Sequence, residues 1–405
     1  MEEAMDSKKP RSQADLKYHN LQLVFDLLKR EGPMSRAALA KRTGLSATSM
    51  TRIVNELQRI GLITEHAITA TPGMSGRPGT LLEVRADAAY CLCVDTMPNL
   101  NKVTLVNLAA RNVAYRELFI AAGASFQRMA EALKGMLPEL CRDAGVSFKQ
   151  VACCGVSVSG HVLANGRISA SSQLQWADVD GVGILERVLG MPAYVENDCK
   201  AALLGEQYLL SCAGENTENI AYLKLGWAGV GSAAIVDGRL LRGSRNAAGE
   251  IGRFNAQLEG MHAEKCEYKG SLECTISESA VISRAKSIDP AYGSLSSINE
   301  GLRAGDARLR AMFEEVCEYI AIAVSDISCA YNPDTIILSG NLLASCIGCY
   351  ETVMQFVQKR LTRSIQPNLT VRLTKMGSNA GLYGISCIVV EETVKRMLMK
   401  SSAGI

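Results

Sequence analysis

The chain has 405 residues, of which 48% are hydrophobic and 21% are charged, and its formal net charge is +2. This length suits two or three globular domains, and the small net charge excludes a uniformly basic nucleic-acid binder, so any positive surface must be local. No apolar run reaches the roughly 18 residues of a membrane span, and the N-terminal residues contain no apolar signal core. These features predict a cytoplasmic protein that does not insert into a membrane.

The first segment is predicted to be a disordered tail followed by a helix. Residues 1–15 are polar, which favours disorder. A helix is predicted from residue 16 to residue 30, because Leu21, Val24 and Leu28 share one face. We expect this helix to pack behind the next segment and to help pair two subunits.

Residues 33–84 show the pattern of a winged helix-turn-helix. A short helix begins at Ser35, residues 43–45 form a turn, and Ser46 is placed to cap a second helix over residues 46–60. The apolar run that begins at Leu62 and the strand predicted over residues 80–84 form a hairpin, the wing. A DNA-binding domain is therefore predicted over residues 16–87.

Polar and basic side chains of this module are the candidate DNA contacts. One face of the second helix is apolar, and the opposite face is suited to a major groove. An arginine in the Gly-Arg-Pro loop at residues 76–78 is suited to an adjacent minor groove. The predicted DNA-binding residues are Arg36, Thr48, Ser49, Arg52, Asn55 and Arg77.

From residue 88 the pattern changes to alternating strands and helices. Three early strands form a meander, and strands then alternate with helices, which predicts an α/β fold. The same order recurs after residue 219, which predicts a duplicated fold with a cleft between two lobes. The predicted lobes cover residues 88–200 with the C-terminal helix 378–400, and residues 201–377.

The 14 cysteines are scattered, and many lie in apolar runs. In a cytosolic chain such cysteines behave as small core side chains. Cys346 and Cys349 form a single C-x-x-C pair with no second pair nearby, which we interpret as structural.

Three polar or glycine-rich segments are candidate ligand sites. Asn197 and Asp198 follow a predicted strand, where they could hold sugar hydroxyls or simply cap the next helix. Residues 225–231 are rich in glycine, which suits either a phosphate loop or a tight hairpin. Glu250 lies in a glycine-flanked loop and is ambiguous by itself.

Seven motifs in order give these segments a common interpretation. Together they resemble the ROK family (repressors, open reading frames, kinases), which implies an actin/hexokinase-like, ribonuclease H-like fold. The winged module ahead of them resembles the repressor branch, with regulators of the xylose and N-acetylglucosamine type. The motifs are GVSVSG (155–160), VENDCKAALLGE (195–206), LGWAGVGSAAIVDG (225–238), AAGEIG (247–252), GSLE (270–273), IILSG (336–340) and SNAGLYG (378–384).

The resemblance implies a set of effector contacts. Asn197 and Asp198 match family residues that contact sugar hydroxyls, and Asp198 occupies the position of the base in the kinases. Glu250 and Glu273 match two further sugar-binding glutamates. Arg253 replaces the family histidine of the GEIGH motif and joins the predicted effector site, where it would permit an anionic ligand.

Two other departures argue against a metal and against catalysis. The zinc motif of the family is degenerate at Cys266, Tyr268 and Ser271, and Cys274 and His262 could rebuild a site only by rearrangement, so no metal is predicted. The first phosphate loop of the kinases corresponds to residues 95–101, which contain no glycine. We therefore expect neither kinase activity nor a cofactor.

The leading hypothesis is a sugar-responsive transcriptional repressor of carbohydrate uptake or catabolism genes. It would bind a pseudo-palindromic operator as a homodimer or dimer of dimers and respond to a neutral sugar, amino sugar or sugar phosphate. Two alternatives stay open. One is a sugar kinase with an added DNA-binding domain, and the other is a DNA-binding regulator whose effector site has decayed.

Overall fold

The computed structural model describes residues 12–67, 80–256, 269–361 and 368–403. The N-terminal domain contains three helices and a two-stranded antiparallel wing. Its elements are α1 (Gln13–Glu31), α2 (Arg36–Thr43), α3 (Ala47–Arg59), β1 (Ile63–Ala67) and β2 (Thr80–Val84). We call this domain the head.

Serine hydroxyls fix where the helices of the head begin. Ser12, Ser35 and Ser46 each accept a backbone N–H from the residue three positions ahead, which satisfies an orphan donor. The cap at Ser12 makes α1 begin at Gln13, three residues before the predicted start at residue 16. The predicted turn is confirmed, since Gly44 ends α2 in the left-handed conformation that glycine tolerates.

The remainder of the chain, which we call the body, contains two five-stranded sheets of the same topology within its described residues. Its first part comprises β3 (Tyr90–Asp95), β4 (Leu100–Asn107), β5 (Asn112–Phe119), α4 (Phe126–Ala144), β6 (Val151–Val158), β7 (His161–Val162), β8 (Ile168–Ser171), β9 (Trp176–Val179), α5 (Gly181–Leu189), β10 (Ala193–Asn197) and α6 (Asp198–Cys212). Its second part comprises β11 (Ile220–Leu225), β12 (Val230–Val236), β13 (Arg239–Leu240), α7 (Leu272–Ile276), α8 (Glu278–Ile288), α9 (Leu295–Ala304), α10 (Ala307–Tyr331), β14 (Thr335–Ser339), α11 (Asn341–Ser345), α12 (Cys349–Arg360), β15 (Thr370–Leu373) and α13 (Ala380–Ala403).

The strand orders are β10-β6-β3-β4-β5 and β13-β12-β11-β14-β15. In each sheet the first three strands in the chain form an antiparallel meander, and the next two extend the sheet in parallel from the first strand. The predicted duplication is therefore confirmed. A separate small sheet of β7, β8 and β9 was not predicted.

Each sheet is covered by helices on both faces. In the first sheet, α4 and α5 cover one face and α13 covers the other. In the second sheet, the helices that follow β13, above all α10 and α12, form the large core on one face, and α6 covers the other. The division into lobes at residue 200 stays a prediction.

Helices α6 and α13 cross each other with almost no space between their backbones. A side-chain carbon at Gly384 would lie 1.8 Å from the carbonyl oxygen of Ala201, so only glycine fits at this crossing. Since α13 packs on the first sheet and α6 on the second, this crossing joins the two halves of the body.

The head shares a hydrophobic core with the body. Leu21, Val24 and Phe25 of α1 belong to the same buried cluster as Val389 and Val390 of α13. Lys29 of α1 also lies over the ring of Tyr208 in α6, 4.8 Å from its centroid. No helix among the described residues is long and apolar enough to cross a membrane.

Candidate functional site

The predicted recognition surface of the head is the polar face of α3. Met50, Val54 and Leu57 are at most 1% exposed and pack into the core of the head. Thr48, Arg52 and Asn55 are exposed, and Ser49 is half-buried next to the capping Ser46. The side chains predicted to read DNA on this helix therefore lie together on its open side.

Arg36 is engaged by the wing. Its guanidinium forms a two-point ion pair with Glu65 of β1, with Nη2 2.8 Å from Oε2. The pair holds the pKa of Glu65 down to about 2. Arg36 therefore fixes the wing against α2, a role that was not predicted. Arg77 lies outside the described residues.

Asn197 caps α6, as one of the two sequence interpretations allowed. Its Oδ1 accepts the backbone N–H of Lys200 at 3.1 Å, and its Nδ2 donates to the carbonyl of Gly160 at 2.9 Å. The amide is thereby held between the end of β10 and the loop after β6. Most of its hydrogen-bonding capacity is used within the protein.

Asp198 forms an ion pair that the sequence analysis missed. Lys224 of β11 places Nζ 2.6 Å from Oδ2, while Oδ1 accepts the backbone N–H of Cys199 and the amide of Asn197. The side chain of Asp198 is only 6% exposed. Three of the roughly four acceptor positions of this carboxylate are therefore occupied within the protein.

A second buried carboxylate lies near this pair. Burial raises the pKa of Asp95, which ends β3, and the charge of Lys224 opposes that effect. Burial disfavours the charged form of Lys224 itself, but the carboxylates of Asp198 and Asp95 outweigh it and raise its pKa. Lys224 is thus a permanent cation between β3 and α6. A lysine in the otherwise apolar run IAYLKL was the signal in the sequence.

The segment that matches the first phosphate loop is a short turn with part of its backbone already hydrogen-bonded. β4 begins at Leu100, so residues 96–99 alone form the turn. The backbone N–H of Thr96 donates to the carbonyl of Ser157 at 3.0 Å, and Pro98 has no N–H. Two of the four backbone positions of this turn therefore offer no N–H to a phosphate.

Strand β12 brings the other predicted effector residues into one region. Residue 230 donates its N–H to Glu273 at 3.3 Å, and residue 231 lies against Cys199, next to Asp198. Residue 232 donates to the carbonyl of Gly249 at 2.9 Å, next to Glu250. Segments from α6, the 241–250 loop and α7 therefore meet around the beginning of β12.

Glu250 and Arg253 form the open side of this region. They are 44% and 52% exposed and lie 3.5 Å apart, from Arg253 Nε to Glu250 Oε2. Glu273 is half-buried, and its carboxylate accepts the N–H at the beginning of β12. Asp198 and Glu250 are thus each paired with a cation.

A polar network that the sequence analysis missed joins β10 to the 241–250 loop. Arg242 donates to Glu196 at 2.8 Å and to the side chain of Asn246 at 3.0 Å. Lys200 of α6 donates to the carbonyl of Asn246 at 2.7 Å. The loop is therefore held against the first half of the body.

The degenerate zinc segment contains a helix cap at Ser271. This buried hydroxyl accepts the backbone N–H of Cys274 at 3.4 Å and donates to its sulfur. Cys266, Tyr268 and His262 lie outside the described residues. Within the described ranges, no group of three or more His, Cys, Asp or Glu side chains is arranged to hold a metal ion.

A winged head joined to two sheets of the same topology defines a class of protein. Comparison with known families identifies that class. The model described as the ROK family matches residues 93–392, and the model described as winged helix-turn-helix DNA-binding matches residues 21–64. The chain belongs to the ROK family.

The relatives of this chain include repressors and kinases. It is 23% identical to the xylose repressor of Bacillus subtilis over 389 residues, which cover 96% of this chain and 99% of the repressor. A solved ROK family transcriptional regulator, a homologue of the E. coli MLC protein, matches 96% of this chain and all of its own, with a TM-score of 0.80 and 20% identity. A Streptomyces griseus glucokinase matches 74% of this chain and 99% of its own, with a TM-score of 0.61 and 20% identity.

Proposed function

We propose that this protein is a sugar-responsive repressor that binds operator DNA through α3. The open polar face of α3, on a head that shares its core with a ROK body, is the observation that carries the proposal. The full-length similarity to proteins named xylose repressors supports it. Helices that present such a face enter the major groove, and a homodimer would present two of them to a pseudo-palindromic site.

The effector is proposed to bind where Glu250, Arg253 and Glu273 meet the beginning of α6. Carboxylates accept hydrogen bonds from sugar hydroxyls, and Arg253 offers donors to hydroxyls or to a phosphate. Asn197 and Asp198 would hold the frame of the site. A neutral sugar, an amino sugar or a sugar phosphate fits this chemistry.

The absence of kinase activity is also part of the proposal. Lys224 neutralises Asp198, the residue at the base position, and the turn after Asp95 presents few N–H donors. Both features disfavour phosphoryl transfer, which needs a free base and a phosphate cradle.

Helix α13 provides the route from the effector region to the DNA. At its first turn, a side-chain carbon on Gly381 would lie 2.6 Å from Asp95 Oδ1. At its last turn, Ser401 donates to Glu56 of α3, and its carbonyl accepts from Lys17 of α1 at 2.8 Å. An effector that favours one position of α13 would therefore change the position of the recognition helix.

Operator titration tests this function directly. Fluorescence anisotropy would measure binding to the DNA upstream of the protein's own gene, with xylose, glucose, N-acetylglucosamine or glucose 6-phosphate added in turn. At least one sugar should change the affinity, and Glu273→Gln should remove the change while leaving sugar-free binding intact. Glu314→Gln, at an exposed position of α10, is the matched control.

Other outcomes identify the alternatives. Sugar-dependent ATP consumption in a coupled assay would establish the kinase. Operator binding that no sugar alters, with no sugar raising the thermal stability, would favour the decayed regulator, because a ligand of the folded state must stabilise it. Failure to bind any DNA would refute the proposal.

A further inference from the structure

A trough lies on the first sheet between α13 and the edge strand β5. Helix α13 covers β3 and β6 on this face but leaves β5 open. Thr104 and Val106 of β4 form the floor with Leu382 and Ser386 of α13, and all four are buried. The trough is separate from the effector region around β12.

The trough has the size and the lining of a small-molecule site. Its volume is about 500 Å³, within the roughly 300–1,000 Å³ of ligand pockets. Asn112, Tyr115 and Asn379 form an exposed rim, and Tyr383 forms a wall. None of the described residues that line it is charged, so an ionic ligand would lose solvation without gaining a partner.

Neighbouring groups fix the hydrogen-bonding character of the lining. Lys102 donates to Asn379 Oδ1 at 2.8 Å, which leaves the Nδ2 of that amide as a donor. Tyr115 donates its hydroxyl to Glu117, and Ser386 donates to the carbonyl of Leu382, so both oxygens keep acceptor capacity. The side-chain amide of Asn112 offers both hydrogen-bond donors and an acceptor. A ligand that fits must both donate and accept, as hydroxyl groups do.

The trough also borders the junction between head and body. Val106, Ala110 and Leu382 line it and belong to the buried cluster that contains Leu21 and Val24 of α1. Ligand sites occur preferentially at such domain junctions. A molecule in the trough would contact the same helix that carries Ser401 to the recognition helix.

We propose that this trough is a second ligand site, which binds a neutral saccharide of one or two rings. The tyrosine rings would pack against its apolar faces, and the amides and hydroxyls would bind its hydroxyl groups. This site does not depend on the proposed effector region or on the response to sugar at the operator.

Isothermal titration of the full chain tests the site with xylose, N-acetylglucosamine, sucrose and cellobiose. Glucuronate and glucose 6-phosphate are the charged comparisons. We expect at least one neutral saccharide to bind. Asn112→Trp, which fills the mouth of the trough, should weaken the affinity for that saccharide at least tenfold. Lys134→Trp, exposed on α4 at the opposite face of the sheet, should have no effect. Should Asn112→Trp fail to fold, Tyr115→Ala removes an exposed ring from the rim and should weaken binding similarly.

Binding in the trough must survive Glu273→Gln, which alters only the effector region. Binding that is lost in Glu273→Gln but kept in Asn112→Trp would overturn the proposal, as would binding of a charged sugar that Asn112→Trp weakens and Glu273→Gln leaves unchanged. Failure of every neutral saccharide to bind would overturn it too. Binding sensitive to Asn112→Trp would support it even if operator affinity responds to no sugar.

Discussion

The contact between Ser401 and Glu56 should stabilise the docked head measurably. Ser401 is buried, and its hydroxyl donates to a carboxylate that Lys17 and Arg59 also engage. A hydrogen bond to a charged group contributes roughly 1.5–3 kcal/mol. Because the two basic partners stay in place after Ser401→Ala, we expect a loss near the lower value, about 1.5 kcal/mol.

Hydrogen exchange of the backbone amides of α3 would measure this loss. If the amides exchange through local opening of the head, about 1.5 kcal/mol makes them exchange roughly tenfold faster. Amides of β11, in the second sheet, serve as the internal reference and should not change.

The adjacent serine provides the matched control. Ser402 donates only to the carbonyl of Leu398 within its own helix. Ser402→Ala should therefore leave exchange in α3 as it is in the wild type. Equal rates in the two variants would refute the idea that the end of α13 holds the recognition helix.

Three further predictions concern the head and the buried ion pair. Arg52→Ala should weaken operator binding. If Arg52 contacts a phosphate, the negative slope of log affinity against log salt should also become shallower by about 1. Unchanged affinity on every DNA sequence would exclude α3 as the helix that reads DNA. Lys224→Met should destabilise the protein by roughly 1–3 kcal/mol in urea unfolding, because it leaves one oxygen of the buried Asp198 carboxylate without a donor, and adding Asp198→Asn should recover part of that loss. The pKa of Glu65 falls from 4.5 to about 2 in the folded protein, so its pair with Arg36 stabilises fully above pH 4.5 and loses that effect as the pH falls toward 2. The stability difference between the wild type and Glu65→Gln should therefore shrink over that interval, and a constant difference would contradict the assignment.

Periodicity and caps made the main elements predictable. The apolar spacing of α3 placed its buried and open faces correctly, and the strand over residues 80–84 has the predicted bounds. The recurrence of a meander after residue 219 predicted the second sheet. These features are local, so a single sequence contains them.

Short elements and pairs of residues distant in the chain could not be predicted from local sequence patterns. β7, β8 and β9 have two to four residues each, and α7 and α11 have five, which is too few to show a period. The pair between Asp198 and Lys224 joins residues 26 positions apart in different elements. Such pairing depends on how the two sheets face each other, which no local pattern encodes.

The close crossing at Gly384 makes α13 a lever with unequal arms. Gly381, beside Asp95, is three residues from the crossing, while Ser401 is 17 residues away on the other side. At 1.5 Å per residue the arms are about 4.5 Å and 25 Å, so a tilt that moves the short end by about 1 Å moves the long end by roughly 5–6 Å. Spin labels on α13 and α10 would report such a tilt as a distance change that grows toward the C-terminus. A point contact between two backbones would thus convert a small displacement at the beginning of α13 into a larger displacement at the contact with α3.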